Sequence, residues 1–150
     1  MAITCGFAAL AAASEEDPVE AALTRLPASA PGPAFPDIPE VDMANLCRSH
    51  SGRQRYYPPR ALSNGVEGRV VLDCVIRENA PRTCQVLYES PDSYGFGDAA
   101  LRIACHFRVD EPGSDEGEPS GNLPREARFY RRRAEGEPWR ARVPIRFQLR

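Results

Sequence analysis

Hydrophobic and polar positions fall into a small number of periodic stretches. Gly68 to Arg77 (GRVVLDCVIR) and Thr83 to Glu89 (TCQVLYE) are rich in Val, Leu and Ile, with Glu78-Asn79-Ala80-Pro81 between them. Two such runs joined by a short polar connection predict an antiparallel hairpin. After a Pro/Gly/Ser loop from Ser90 to Gly97, Phe96, Ala99, Ala100, Ile103 and Phe107 recur at spacings of three and four, which marks one apolar face of a helix. From Ala141 to Leu149, Val143, Ile145, Phe147 and Leu149 alternate with Arg142, Pro144, Arg146 and Gln148, the signature of a half-buried strand. Pro144 lacks a backbone donor and argues for an edge position. Upstream of the hairpin, Tyr56-Tyr57-Pro58-Pro59-Arg60-Ala61-Leu62 sets prolines in a helix's first turn, and Asn64-Gly65 offers a left-handed stop, so a short helix is expected there. The order helix, strand, strand, helix, strand predicts an α+β fold: a small antiparallel three-stranded sheet packed against two helices.

Composition refines the boundaries. The 150 residues, 42% hydrophobic and 27% charged, suffice for one domain, but fifteen Pro and eleven Gly point to a linker. Residues 1–13 are expected to be a signal peptide, possibly truncated: the uncharged apolar run Ile3 to Ala13 has the length of an h-region, although no basic residue precedes it, and the run is too short to span a bilayer. Residues 14–52 read as an acidic, Pro-rich linker, with a net charge of −6 over 14–46. The folded part is expected at 53–150, with an insertion at about 111–138 before the last strand. Five acids between Asp110 and Glu118 open that insertion as a loop, and the Arg-rich stretch Arg125 to Arg133 reads as an extra strand beside the last one. Residues 125–150 carry a net +6, suited to an acidic partner or to a charged strand edge that resists aggregation. The overall charge of −2 argues against a general nucleic-acid binder.

Five cysteines are present, and cleavage near Ala13 would remove Cys5 and leave an even set in an exported domain. Cys74 and Cys84 lie on the two adjacent strand runs and are the first expected disulfide. Cys47 and Cys105 follow by elimination. A zinc reading of Cys47-x-x-His50 with Cys105-His106 competes with this pairing, but the spacing is not that of two ligand pairs. No nucleophile elbow, phosphate-cradling loop or Cys/His pair supports catalysis, so neither an enzyme nor a metal or other cofactor is expected.

Several weak motifs in order resemble the C-terminal domain of TonB energy-transducer proteins. They are Tyr57-Pro58 followed by Ala61, Gly65-Val66-Glu67-Gly68-Arg69-Val70, the hairpin, Asp98-Ala99-Ala100-Leu101, Phe107-Arg108-Val109, and Val143-Pro144-Ile145-Arg146-Phe147. The hairpin departs from the family's Asp-Gly turn, and the cysteine pair is not a general family feature. The resemblance implies a periplasmic protein-binding module in which the last strand pairs with an extended segment of a TonB-dependent outer-membrane receptor or another envelope protein. It makes Tyr56, Tyr57, Pro58, Arg142, Val143, Pro144, Ile145, Arg146, Phe147, Gln148 and Leu149 the expected partner-binding residues, with Arg142 and Arg146 as outward charges. A disulfide-stabilised envelope structural or assembly domain without receptor docking is the alternative.

Overall fold

The computed structural model describes residues 18–19, 39–49, 56–112, 119–130 and 137–150. Seven strands and three helices lie in these stretches: β1 (Val41–Asp42), α1 (Met43–Ser49), α2 (Pro59–Ser63), β2 (Gly68–Arg77), β3 (Ala80–Ser90), α3 (Phe96–Ala104), β4 (Val109–Asp110), β5 (Ser120–Gly121), β6 (Arg128–Tyr130) and β7 (Trp139–Phe147). The main sheet has the order β1-β3-β2-β7-β6, and every pairing within it is antiparallel. β4 and β5 form a separate two-stranded ribbon.

The α+β class is as expected, while the sheet is wider than three strands. The expected strands form its centre, β3-β2-β7. Val41–Asp42 adds to β3 on one side, opposite Cys84 and Thr83, and Arg128–Tyr130 adds to β7 on the other, opposite Arg142, Ala141 and Arg140. The second addition lies within the Arg-rich stretch Arg125 to Arg133 expected as an extra strand beside the last one, whereas the first comes from the stretch read as a linker, whose Pro and acid content masks its strand character. The stretch read as linker also contributes α1, where Asp42 accepts hydrogen bonds from the amides of Ala44 (2.9 Å) and Asn45 (3.4 Å) as a helix N-cap.

The hairpin turn is tighter than the expected four residues. Arg77 pairs with Ala80, which leaves Glu78 and Asn79 as a two-residue turn with φ of 53° and 62°. Such a turn matches the right-handed twist of its strands, and Asn tolerates it well. Two bonds with Glu111 fix Asn79: its amide donates to Glu111 Oε1 and its Oδ1 accepts from the Glu111 amide, both at 3.2 Å.

One face of the sheet carries the core. Val70, Leu72, Cys74 and Ile76 of β2, with Ala141, Val143, Ile145 and Phe147 of β7, pack with Phe96, Ala99, Ala100 and Ala104 of α3. Phe96 and Phe147 lie 5.0 Å apart between ring centroids, and Tyr57 meets both edge-on at 5.8 Å. Gly68 is needed here, since a Cβ would stand 2.5 Å from the Phe96 ring. Two disulfides brace the layer. Cys74–Cys84 crosses the hairpin at paired positions, and Cys47–Cys105 ties α1 to the end of α3.

Candidate docking edge and the buried charges behind it

The backbone of β7 alternates between its two neighbours, and the cross-strand disulfide fixes the phase. Cys74 and Cys84 face each other with Cα atoms 4.1 Å apart, the close spacing of a non-hydrogen-bonded pair. The backbone groups of Cys74 therefore point to β7, and the unbroken register Cys74↔Ala141, Leu72↔Val143, Val70↔Ile145 and Gly68↔Phe147 carries that phase along the strand. Val143, Ile145 and Phe147 thus spend their N–H and C=O groups on β2. Pro144 and Arg146 aim theirs the other way. The Leu149 amide, which falls on the β2 side by the same count, donates to Glu67 Oε1 at 3.0 Å.

On that outer side β6 pairs only with residues 140–142. Among the described residues no strand pairs with 143–147 beyond β2. Pro144 is placed where its missing N–H would face outward, the arrangement that lets Pro occupy a strand edge. Next to this open half lies a groove of about 250 Å³, lined by Ile103, Phe107, Pro124, Glu126, Pro144, Ile145 and Arg146. Its floor is largely apolar. Ile103, Phe107, Pro124 and Glu126 escaped sequence reasoning as site residues, because Ile103 and Phe107 read as core and the other two sit in the inserted stretch.

Apart from Arg142 and the buried Pro144, the expected site residues divide into three groups. Arg146 and Gln148 are exposed at the open edge, with Leu149 half-buried beyond the strand. Val143, Ile145 and Phe147 turn their side chains into the core. Pro58 is buried at the start of α2, while Tyr56 and Tyr57 are half-buried. The Tyr57 hydroxyl donates to the Val66 carbonyl at 2.6 Å, and that of Tyr56 is hydrogen-bonded to His106 Nε2. These Tyr side chains brace α2 against the sheet and the end of α3.

Arg142 overturns the expectation of an outward charge. It lies on the face opposite the helices, yet it is 0% exposed. Its register partner on β2 is Asp73, itself 2% exposed, with Arg142 Nε 3.7 Å from Asp73 Oδ2. The Tyr130 ring of β6 lies 5.1 Å from the Arg142 guanidinium. The Tyr130 hydroxyl donates to Asp73 Oδ2, and Arg140 Nε reaches Asp73 Oδ1 at 3.4 Å and the Tyr130 oxygen at 3.2 Å. Burial, reinforced by the adjacent Asp73 charge, holds the Tyr130 hydroxyl above its ordinary range. Burial opposes the Arg140 charge, but Asp73 and Tyr130 outweigh it and raise the guanidinium's pKa further.

The zinc alternative meets a chemical obstacle. Cys47 and Cys105 are joined to each other, so neither offers a thiolate, and the ring nitrogen Nε2 of His106 is engaged with Tyr56. His50 lies outside the described residues.

The fold and this edge define a small disulfide-braced α+β domain organised around one antiparallel hairpin. Residues 53–121 match the family model of the Gram-negative bacterial TonB protein C-terminal domain, which supports a TonB C-terminal domain over that part of the chain. This family consists of protein-interaction and transducer domains of the cell envelope. The match runs from before α2 through β5 and ends ahead of β6 and β7. No curated protein and no solved structure matches the chain significantly. Among the described residues no helix is long and apolar enough to cross a membrane.

Proposed function

We propose that this is a periplasmic protein-binding module that takes an extended segment of a TonB-dependent outer-membrane receptor, or of another envelope protein, as an added strand beside Pro144–Gln148. The observation that carries this reading is that, among the described residues, no strand pairs with the outer side of β7 past residue 142. An incoming strand gains the Arg146 N–H and C=O and the Pro144 carbonyl, and alternate side chains drop into the groove formed by Ile103, Phe107 and Ile145. Arg146 adds a preference for acidic segments. The disulfides suit the oxidising compartment in which such a partner is met.

Photo-crosslinking in intact cells from Arg146 and Gln148, with exposed Leu62 on α2 as the reference position, tests the surface and identifies the partner. Capture of a receptor's N-terminal segment from 146 and 148 but not from 62 supports the reading. Equal capture from all three positions, or none, overturns it. The cover that β6 gives to 140–142 favours the second reading, an envelope structural or assembly domain whose strand edge is partly closed. Capture of a non-receptor envelope protein at the same positions would select an envelope-protein partner.

A further inference from the structure

The two disulfides differ in their access to solvent. Cys74 and Cys84 are both 0% exposed, whereas Cys47 and Cys105 are only half-buried. Cys47 lies on α1, a helix of seven residues in which Met43 alone is fully buried. An isolated helix of that length is not stable in water, so α1 depends on what it is fastened to. Beside the bridge, Met43 sits in the core with Val41 and Leu46 packed next to it, and Val41 and Asp42 pair with Cys84 and Thr83 of β3. Just ahead of them Glu40 Oε1 accepts from Gln85 Nε2 at 3.0 Å and lies 3.8 Å from Arg140 Nη2. This latch is incomplete, because Gln85 Oε1 is buried with no hydrogen-bond partner among the described residues, an arrangement that costs free energy. Cys84 stands in a non-hydrogen-bonded pair with Cys74, so its own N–H and C=O point the other way, to Val41. Residues 40–49 thus cover a second strand edge, on the side of the sheet away from β7.

We propose that residues 40–49 are a redox-released strap: a dithiol opens Cys47–Cys105 while Cys74–Cys84 stays closed, the strap lifts, and the β3 edge at Cys84 becomes free to accept a strand. The step is a thiol–disulfide exchange. A thiolate of the dithiol attacks one sulfur of the bridge and forms a mixed disulfide, and the other cysteine leaves as a thiolate that takes up a proton. The second thiol of the reductant then displaces the remaining cysteine, so that two electrons and two protons pass to Cys47 and Cys105 and the dithiol is left as a disulfide. Access decides which bridge reacts, since the attacking thiolate must reach a sulfur. Once unfastened, the short strap opens locally, at a lower free energy than the β2–β7 ladder, and releases the Cys84 N–H and C=O together with the seat of Met43. This edge lies apart from Pro144–Gln148, so the switch and the docking proposed there can fail separately.

The test treats the full chain with increasing dithiothreitol under native conditions, traps free thiols with iodoacetamide and maps the alkylated cysteines by mass spectrometry. Cys47 and Cys105 are expected to be alkylated at dithiothreitol concentrations that leave Cys74 and Cys84 joined. Amide exchange followed by NMR on this half-reduced protein is expected to show loss of protection over 41–49 and at Cys84, with protection kept at Val143, Ile145 and Phe147. Reoxidation with oxidised glutathione is expected to restore what was lost. Alkylation of all four bridge cysteines together would overturn the proposal. Opening of Cys47–Cys105 with the Cys84 amide still protected would also overturn it, since the bridge would then not be what holds β1 in place. Loss of protection that spreads to Val143 and Ile145 would mean that reduction unfolds the domain instead of releasing a strap. The chain carrying both Cys47→Ser and Cys105→Ser gives a second reading without reductant. It is expected to match the half-reduced protein in exchange at Cys84, and protection equal to that of the unsubstituted oxidised chain would defeat the proposal.

Discussion

Asp73 is the residue on which the most interactions of the sheet's far face converge. It takes the Tyr130 hydroxyl, lies 3.4 Å from Arg140 Nε and 3.7 Å from Arg142 Nε, and is almost fully buried. A buried ion cluster need not outperform well-packed apolar residues, but removing the buried carboxylate that Arg140 and Arg142 both face leaves these cations less compensated in a low-dielectric setting. Asp73→Asn is expected to destabilise the domain by about 3 kcal/mol, read from denaturant unfolding. Tyr130 adds a pH dependence whose sign is fixed by its raised pKa. The folded state holds that proton more tightly than the unfolded chain, so its contribution is complete below about pH 10 and is lost as pH climbs through the folded value. Asp73 of β2 and Arg140 and Arg142 of β7 are the charges facing it. Unfolding midpoints followed from pH 8 upward are expected to fall more steeply for the unsubstituted chain than for Tyr130→Phe. None of this was legible in the sequence. Strand alternation assigned Arg142 to the polar face, and nothing in the local pattern announced that the face would be covered or that Asp73 would be its register partner.

The elements with strong periodicity were legible, and their partners less so. β2, β3, α3 and β7 stand where alternation or three-four spacing set them, because each contributes a whole apolar face to one core. β1 is only two residues long, too short for a period to show, and exists by pairing with a strand already formed, whereas β6, three residues long, falls within the Arg-rich stretch expected as an extra strand beside β7. The turn between β2 and β3 was located but taken as too long, since Ala80-Pro81 resembles loop sequence while lying within β3. Asn79→Ala removes both the tolerance for a left-handed backbone and the Oδ1 acceptor for Glu111. It should cost about 1–2 kcal/mol, measurable as a lower unfolding midpoint. For β7 the backbone phase separates folding from docking at neighbouring positions. Ile145→Pro deletes an N–H that β2 uses and adds a ring inside the ladder, so it is expected to unfold the domain. Arg146→Pro deletes an N–H that faces the open edge, so the fold should persist, as judged by circular dichroism, while partner crosslinking from Gln148 is lost. Retained capture by a folded R146P chain would remove the main-chain basis of strand addition.

At the scale of the whole molecule the two disulfides do different work, and reduction can separate them. The sequence pattern named both pairs, the first from two facing strand runs and the second by elimination. The structure adds what each one constrains. Cys74–Cys84 spans a separation of 10 residues within a hairpin that its own ladder already closes. Cys47–Cys105 spans 58 and is the covalent tie between the stretch read as a linker and the core helix. It fastens α1 and, through Asp42 and Val41, the outermost strand beside β3. In the chain-entropy view the longer loop restricts the unfolded state more, so losing the second bridge should cost about 4 kcal/mol and losing the first about 3 kcal/mol. Replacing Cys47 and Cys105 together by Ser is therefore expected to lower the melting temperature more than replacing Cys74 and Cys84. Hydrogen exchange would show where each loss falls. Removing the long bridge should expose the α1 amides, whereas the β2–β7 ladder, which supports the proposed docking edge, keeps its protection. Exchange that instead accelerates through β7 would mean that the front of the chain, and not the hairpin with α3, holds that edge in place.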